Sequence, residues 1–157
     1  MDYIIKVCTD INQLDDIVLG KIVILRWGFN QVKLDAWKNH MRNNTACFHH
    51  LLIYAQANDE VIGYAFFCEN EVNAEQWYYG DLIVSDNFRR NGIASDMIVK
   101  GIESLTCINV KELFTYVDYD NEISKFLHEK LGFTISDKHE MINGFLNDNR
   151  LVYKYSV

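Results

Sequence analysis

Residues 82–95 combine the residue types that can hold an anion. An apolar run ends at Val84, a polar stretch follows, and Gly92 precedes a helical apolar pattern. The first main-chain N–H groups of a helix lack partners within it, and the helix dipole places partial positive charge beside them. Gly92 would let the backbone approach a ligand closely, and Arg89 and Arg90 add positive charge. The segment favours a diphosphate site, although a surface loop with two solvated arginines has the same pattern.

The spacing of apolar residues predicts the elements that position this segment. Six runs rich in β-branched and aromatic residues predict strands at 3–8, 51–57, 61–68, 76–84, 113–117 and 150–157. Four helices are predicted, with these apolar positions: Ile11, Leu14, Val18 and Ile22 behind a cap at Thr9 or Asp10; Leu34, Trp37 and Met41; Ile93, Met97, Ile98, Ile102 and Leu105; and Ile123, Phe126, Leu127 and Leu131, ending at Gly132. With a short strand after the last helix, the order is β-α-α-β-β-β-α-β-α-β-β. We expect one α/β domain over residues 1–157, with a central mixed sheet covered by helices.

Three features of the strands carry specific expectations. The polar residues 58–60 predict a turn between two antiparallel strands. The apolar residues 82–84 predict the end of a central strand that is buried on both faces. The alternation in 150–157 predicts a half-buried strand that closes the sheet.

The composition limits the class of function. The chain has 157 residues, of which 49% are hydrophobic, and this is enough for one substantial core. The formal net charge of -7 opposes nucleic-acid binding, which needs clustered lysine and arginine. The sequence contains neither an apolar run of membrane-spanning length nor a spacing of cysteines that suits zinc. We expect a cytoplasmic protein with no membrane contact and no metal, and a homodimer is one candidate assembly.

Two stretches of the chain resemble the motifs of the GNAT superfamily of N-acetyltransferases. Arg89, Gly92 and Ala94 match the Gln/Arg-x-x-Gly-x-Gly/Ala motif that follows a strand end. The family's Asn-x-x-Ala-x-x-Phe-Tyr-x-x-x-Gly-Phe motif is matched in part by Asn121, Ser124, Leu127, Gly132 and Phe133. The resemblance covers nearly the whole chain and implies the GNAT fold, a mixed and mostly antiparallel sheet flanked by helices. The motifs specify the cofactor and the fold, and leave the acceptor open.

The resemblance implies that acetyl-CoA is the acyl donor. Its pyrophosphate would be held by the backbone N–H groups of Arg90, Asn91, Gly92, Ile93, Ala94 and Ser95, with Arg89 beside them. Its pantetheine arm would lie along Leu82, Ile83 and Val84, where this strand splays from the next and leaves backbone groups unpaired. The N–H group of Val84 would polarise the thioester carbonyl. Asn121 would hydrogen-bond the arm, although it could equally cap a helix.

His128 marks a departure from the family, because it occupies the position of a frequent tyrosine that is proposed to protonate the departing CoA thiolate. An imidazole with its reference pKa of about 6.5 is partly protonated near neutrality and can do the same work. The alternative is a histidine on the helix surface with no part in turnover. Asp86 replaces the family's usual proline after the strand, which alters loop stiffness and removes no chemical group.

The acceptor amine must lose a proton before it attacks, so a general base or a water chain is needed. Asp81 is our choice of base. Strand alternation would place Asp81 and Tyr79 on one face and Tyr78 and Gly80 on the other. In this family the acceptor pocket is lined by the first two helices and the loop before the last strand, which here contain Trp27, Phe29, Trp37, His40, Glu140 and Asp148. Trp37 also lies on an apolar stripe, which favours a place in the core.

The sequence therefore predicts an N-acetyltransferase that moves an acetyl group from acetyl-CoA to a primary amine by direct attack in a ternary complex. Two alternatives stay open. One is a CoA-binding regulatory or interaction module without catalysis. The other is a different α/β nucleotide-binding domain, although the chain lacks both the Gly-x-x-x-x-Gly-Lys and the Gly-x-Gly-x-x-Gly fingerprints.

Overall fold

A computed structural model describes residues 1–45, 49–136 and 149–157 of the chain. The strands are β1 Ile4–Cys8, β2 His50–Ala57, β3 Glu60–Asn70, β4 Asn73–Val84, β5 Glu112–Asp118, β6 Thr134–Ile135 and β7 Arg150–Ser156. The helices are α1 Asp16–Trp27, α2 Leu34–Thr45, α3 Ile93–Thr106 and α4 Glu122–Lys130. The predicted order of elements is confirmed, with two short 3₁₀ turns added at Ile11–Gln13 and Asp86–Phe88.

The seven described strands form one mixed sheet in the order β1-β2-β3-β4-β5-β7-β6. Every described pairing is antiparallel except that of β4 with β5, so the expected mixed and mostly antiparallel sheet is confirmed. The last strand does not close the sheet as predicted. Instead β7 lies between β5 and β6, because the backbone of β5 pairs with β7 along its whole length.

The two faces of the sheet carry separate cores. The face that α3 and α4 cover, here called the α3 face, holds a cluster that includes Phe67, Tyr79 and Tyr153. The opposite face, here called the α1 face, holds a cluster in which α1 packs on Tyr64 and its neighbours. A small third cluster around Phe114 continues the α1 face over β5 and β7. Strand alternation assigns side chains to these faces wherever a strand is regular.

The predicted hairpin between β2 and β3 is confirmed. Its turn consists of Asn58 and Asp59, which both have positive φ angles, 47° and 65°. Asparagine and aspartate tolerate this left-handed conformation better than most residues. A two-residue turn of this kind matches the twist of the strands that it joins.

The first predicted helix is wrong in its start. Asp10 caps only the 3₁₀ turn at Ile11–Gln13, and its carboxylate accepts a hydrogen bond from the Asn12 N–H at 2.9 Å. The α-helix begins at Asp16 because Asp15 caps it, accepting hydrogen bonds from the N–H groups of Ile17 and Val18. Two aspartates five residues apart thus divide the predicted helix into two elements.

The inward face predicted for α4 is also wrong. Ile123 and Phe126 are 82% and 69% exposed, whereas His128 is only 2% exposed. Leu127 and Leu131 are partly buried against the core of the α3 face, as expected. The buried histidine is surrounded by aromatic rings, with Phe133 and Tyr153 at centroid distances of 5.2 and 5.7 Å. This packing sets the rotation of the helix, and no apolar period in the sequence records it.

Helix α3 approaches the sheet closely at Gly101. A Cβ atom at this position would overlap the ring of Phe67, which is fully buried and stacked on Tyr79 at a centroid distance of 4.9 Å. We expect Gly101→Ala to lower the free energy of unfolding by about 1–3 kcal/mol, because overpacking outweighs the gain in helix propensity. Urea unfolding of the purified variant measures the change.

Gly20 in α1 provides the matched control, because a Cβ atom there would meet nothing within 4 Å. Gly20→Ala is expected to raise the free energy of unfolding by about 0.5–1 kcal/mol. Equal effects of the two alanines would contradict the close contact between α3 and Phe67.

Candidate active site

Strand β4 contains a β-bulge that reverses the facing of its side chains. Tyr64 pairs with Ile83 and Phe66 with Gly80, so Asp81 and Leu82 together lie opposite one residue of β3. Asp81 has a φ of 53°, which is unusual for a residue other than glycine. Bulges of this kind bend a strand and redirect a side chain.

The bulge corrects the predicted facing of Asp81. Tyr79 belongs to the core of the α3 face, whereas Asp81 forms an ion pair with Arg26 of α1 on the opposite face. Tyr78 and Gly80 do share a face as predicted, since a Cβ atom on Gly80 would overlap the Tyr78 hydroxyl. The alternation predicted for residues 78–81 fails after Gly80, where the extra residue enters the strand.

Strands β4 and β5 diverge just before the bulge. Their parallel pairing spans residues 76–78 and 112–114, whereas on its other side β5 pairs with β7 over its whole length. Beyond this point the hydroxyl of Thr115 donates a hydrogen bond to the main-chain oxygen of Tyr79 at 3.0 Å. Because the backbone pairing of β4 with β5 ends at Tyr78 and Phe114, the two strands part beyond these residues and leave a cleft between them.

The strand end at 82–84 is not buried on both faces as predicted. Leu82, Ile83 and Val84 are each partly exposed. The reason is the divergence, because β4 lacks a neighbour on the β5 side here. An apolar run therefore borders the cleft.

The backbone of Val84 faces this cleft. The N–H group of Ser85 donates to the oxygen of Ile62 at 2.9 Å, and Val84 is paired with Gly63. In an antiparallel ladder, residues that exchange hydrogen bonds alternate with residues whose backbone groups point away. The N–H group of Val84 therefore points away from β3, into the gap between β4 and β5.

The cleft leads to the first turn of α3. Gly92 is the N-cap, with a left-handed φ of 81°, and no side chain caps the turn. The first hydrogen bond of the helix runs from the Asp96 N–H to the Gly92 oxygen at 3.0 Å. The N–H groups of Ile93, Ala94 and Ser95 precede it and have no partner within the helix. A ligand anion at this turn would meet several backbone donors and the positive end of the dipole.

The residues before Gly92 shape the loop. Arg89 binds the strand end, donating from Nε to the Val84 oxygen at 3.1 Å and pairing with Asp86 at 2.7 Å. The side-chain amide of Asn91 donates to the main-chain oxygens of Phe88 and Arg89, both at 3.1 Å. Arg90 is exposed, has a φ of 64°, and makes no ion pair within the described ranges. Of the two arginines, Arg90 is the better placed to meet an anion.

Asn121 occupies the N-cap of α4. Its side-chain oxygen accepts a hydrogen bond from the Ser124 N–H at 3.0 Å. The cap was one of its two predicted roles, and this role is confirmed. Its side-chain N–H₂ group is not used by the cap and can still donate to another partner.

His128 is buried, so the surface position in that alternative is wrong, whereas its part in turnover stays a prediction. Its Nδ1 donates to the main-chain oxygen of Ser124 at 2.6 Å, and its Nε2 accepts a hydrogen bond from the Tyr79 hydroxyl. Desolvation lowers the pKa of His128, and the hydrogen bond to Ser124 opposes this effect. The ring is therefore neutral near pH 7, with one tautomer fixed. Burial also raises the pKa of Tyr79 well above its usual value.

The lowered pKa of His128 predicts a pH dependence of stability. In the unfolded chain the histidine has a pKa of about 6.5 and becomes protonated below this pH, whereas the buried ring stays neutral until a lower pH is reached. The contribution of His128 is therefore fully present above pH 6.5 and is lost as the pH falls toward the lower folded pKa. We expect stability to fall by up to about 1.4 kcal/mol per pH unit in this window.

Urea unfolding of the protein and of His128→Gln, between about pH 7.5 and 5, measures this contribution as a difference. The subtraction removes the effects of the other titrating groups. Equal slopes for the two proteins would contradict a buried neutral ring.

Asp81 and Arg26 form an ion pair on the α1 face of the cleft. Arg26 Nη1 lies 2.7 Å from Asp81 Oδ2, and the two side chains are 33% and 36% exposed. Desolvation raises the pKa of Asp81, and the charge of Arg26 opposes the shift. A carboxylate with a raised pKa accepts a proton more readily than an ordinary one does.

Aromatic side chains line the approach to this pair. Trp27 stacks near Trp37 at a centroid distance of 5.6 Å, and His40 lies 6.2 Å from Trp27. Trp37 is only half-buried, so the prediction that it belongs to the core holds in part. Phe29 is 69% exposed. Glu140 and Asp148, the other predicted pocket residues, lie outside the described residues.

Residues 1–45, 49–136 and 149–157 contain neither a cluster of metal ligands nor a helix suited to crossing a membrane. There, no three histidine, cysteine, aspartate or glutamate side chains are grouped closely enough to hold a metal ion. None of the helices within those ranges combines the length and the hydropathy that a membrane crossing requires.

Four residues at the cleft escaped the sequence analysis. Tyr79 was noted only for its place on the strand, and Thr115, Arg26 and Tyr64 were not considered at all. Each acts through a partner that is remote in sequence, as Thr115 does with Tyr79. The signal that could have found Tyr79 is the run of aromatic residues at 77–79 next to Gly80, because a glycine inside a strand often marks a bulge.

Comparison with known proteins identifies the class that this fold and cleft define. Residues 21–133 match the model of the acetyltransferase (GNAT) family. The chain belongs to the GNAT acetyltransferase family. The expected resemblance and fold are thereby confirmed.

The sequence identity between the chain and individual relatives in this family is low. The chain is 27% identical over 92 residues to the chloroplastic GCN5-related N-acetyltransferase 6 of Arabidopsis thaliana, covering 57% of this chain and 31% of that protein. It is 22% identical over 88 residues to mycothiol acetyltransferase of Corynebacterium efficiens, covering 56% and 29%. It thus spans about a third of the length of these curated relatives.

A similar solved structure is the PaiA N-acetyltransferase of Thermoplasma acidophilum, determined in complex with coenzyme A. It has a TM-score of 0.71 and 14% identity, and the match covers 100% of both chains. At this identity the likeness establishes the shared fold.

Proposed function

We propose that this protein transfers an acetyl group from acetyl-CoA to a primary amine by direct attack in a ternary complex. The observation that carries the proposal is the continuous path from the parted strands β4 and β5 to the uncapped first turn of α3. It combines an extended slot with backbone donors and an anion-binding helix start. Acetyl-CoA has the matching parts, a narrow amide-bearing arm and a diphosphate.

The residues of this path fit acetyl-CoA as the acyl donor. The N–H groups of residues 90–95 would bind the pyrophosphate, and Arg90 would add a mobile positive charge. The arm would lie against residues 82–84, with the outward N–H group of Val84 directed at its carbonyl groups. Asn121 would donate from its side-chain N–H₂ group to the arm while its oxygen caps α4.

Two groups of β4, the Asp81 carboxylate and the Val84 N–H group, would carry out the chemistry at the amine and at the thioester. Asp81 would take a proton from the acceptor ammonium, and its raised pKa suits this task. The freed amine would attack the thioester carbonyl carbon, forming the C–N bond as the C–S bond breaks. The N–H group of Val84 would stabilise the charge that develops on the carbonyl oxygen. The nitrogen then loses its second proton to water as the amide forms, and the released thiolate, which keeps the electron pair of the C–S bond, must gain a proton.

The source of that last proton stays a prediction. His128 lies at the position of the family's tyrosine, but its neutral ring already donates its only N–H to Ser124. A role as acid therefore requires the ring to be protonated first, which its lowered pKa disfavours. An unchanged turnover rate across pH in His128→Phe would remove this role and leave protonation to solvent.

Thiol release from acetyl-CoA tests the proposal when it is measured over polyamines, aminoglycosides, amino acids and peptides with a free amino terminus. We expect steady release with at least one acceptor class, and acetylated product by mass spectrometry. The buried neutral state of His128 favours a second candidate, a CoA-binding module without catalysis. Tight CoA binding without thiol release across all classes would support that candidate and contradict acetyl transfer.

A further inference from the structure

We infer that the acceptor carries a carboxylate close to its reacting amine, and that Asp81 and Arg26 bind the amine and the carboxylate respectively. The inference rests on the proposed function and names the acceptor class of that site. Short acceptors of this kind are α-amino acids and related amines with a few bonds between the two groups.

Arg26 is held in place with part of its guanidinium still accessible. It contacts Asp81 at 2.7 Å, and its guanidinium carbon lies 4.5 Å from the centroid of the Trp27 ring. The side chain remains 33% exposed. A guanidinium has five N–H donors in a planar fork, so one edge can bind Asp81 while another binds a ligand carboxylate. Stacking on Trp27 fixes the plane of this fork before any ligand arrives.

Asp81 provides the opposite charge at the same place. The bulge turns its carboxylate to the α1 face, where it is 36% exposed. Its neighbour Tyr64 is fully buried, and its hydroxyl finds no hydrogen-bond partner among the described residues. Burial raises the pKa of Tyr64; the charge of Asp81 adds to the shift and the charge of Arg26 opposes it.

A second arginine borders the same face. Arg150 lies over the ring of Tyr116 at 5.2 Å, and Tyr116 packs against Tyr78 at 5.3 Å. Burial raises the pKa of Tyr78 to about 12; Asp81 adds to the shift and Arg150 opposes it. Asp81 and Arg150 thus both act on the pKa of the same phenol.

The balance of charge selects the acceptor class. Among the residues that the structure describes, Arg26 pairs with Asp81 at 2.7 Å and Arg150 lies 4.0 Å from Asp118. A multiply charged cation such as a polyamine or an aminoglycoside would bring like charges against both guanidinium groups. An amine with an adjacent carboxylate complements both signs. The overall charge of -7 describes the whole surface and does not describe this cleft.

The test compares alanine, alaninamide and ethylamine, and lysine, lysinamide and cadaverine, as acceptors. Within each set the amine is kept and the carboxylate is neutralised or removed. We expect kcat/KM to be roughly 10- to 100-fold higher for the free acids, the span of one charge-assisted hydrogen bond. In Arg26→Gln this preference should fall to about twofold or less, whereas the KM for acetyl-CoA stays unchanged.

Arg42→Gln is the matched control, because Arg42 also pairs with an aspartate, Asp16, at 2.9 Å but lies on α2 outside the cleft. It should keep the preference. Equal kcat/KM for acids and amides in the unmodified protein would overturn the inference while leaving acetyl transfer intact. A decrease in kcat/KM of the same size for acids and amides in Arg26→Gln would also overturn the inference.

Calorimetric titration of each compound into the CoA-saturated protein separates the two proposals. If no acceptor is acetylated but the acids bind more tightly than the amides, and Arg26→Gln abolishes the difference, the inference stands and the proposed function fails. If no acceptor is acetylated and the acids and amides bind equally, both the inferred acceptor class and the proposed acetyl transfer are contradicted.

Discussion

Replacing Gly92 with valine is expected to weaken CoA binding by about 100-fold. Gly92 has a φ of 81°, and a Cβ atom there would meet nothing within 4 Å, so conformational strain is the sole local obstacle. A β-branched residue resists this conformation and would shift the loop to relieve it. The first N–H groups of α3 would then turn away from the pyrophosphate, and losing two charge-assisted hydrogen bonds accounts for the expected factor.

Gly28 is the control for strain. It ends α1 with a φ of 79°, and a Cβ atom there would also meet nothing within 4 Å. Gly28→Val and Gly92→Val should each lower the free energy of unfolding by about 1–3 kcal/mol. Calorimetry should find CoA binding lost in Gly92→Val alone. A comparable loss in both variants would mean that the effect comes from general destabilisation.

Replacing Asp81 with asparagine is expected to lower kcat by about 100-fold and to leave the affinity for CoA unchanged. The change keeps the size of the side chain and removes its capacity to take a proton. In the unmodified protein, kcat/KM should fall as the pH drops through the raised pKa of Asp81, because protonation removes the base. The variant should lose this acidic limb of the pH profile, which a purely structural role would not predict.

Asp16→Asn controls for the loss of a carboxylate that pairs with an arginine. Asp16 lies on α1, binds Arg42 at 2.9 Å, and has no part in the cleft. It should retain both the rate and the shape of the pH profile. An Asp81→Asn variant with an unchanged acidic limb would show that solvent or another group removes the proton.

The parts of the site that were predictable are those encoded locally. The helix start at Gly92 and the strand before it follow from residue types within one continuous segment. The hairpin at Asn58 and Asp59 follows from the polar residues of its turn. In each case the physical cause, backbone conformation or apolar period, acts over a few residues.

The parts that were mispredicted depend on contacts between remote residues. Asp81 was assigned to the wrong face because alternation was extended through a bulge, which only the register with β3 reveals. The surface position considered for His128 is wrong because the ring is buried against Tyr79, a hydrogen-bond partner 49 positions away. The pairing of Arg26 with Asp81 joins a helix end to a strand interior. Such contacts are set by tertiary packing, which single-sequence patterns do not contain.

The most direct test of the account is a titration of the isotope-labelled protein with CoA, followed by amide NMR. Binding of CoA at the first turn of α3 predicts the largest chemical-shift changes at the N–H groups of residues 91–95 and of Val84. Smaller changes are expected along β1 and β2. Saturable binding that leaves those amide shifts unchanged, or no binding at all, would contradict the CoA site at the first turn of α3. It would also contradict the acetyl transfer that depends on this site.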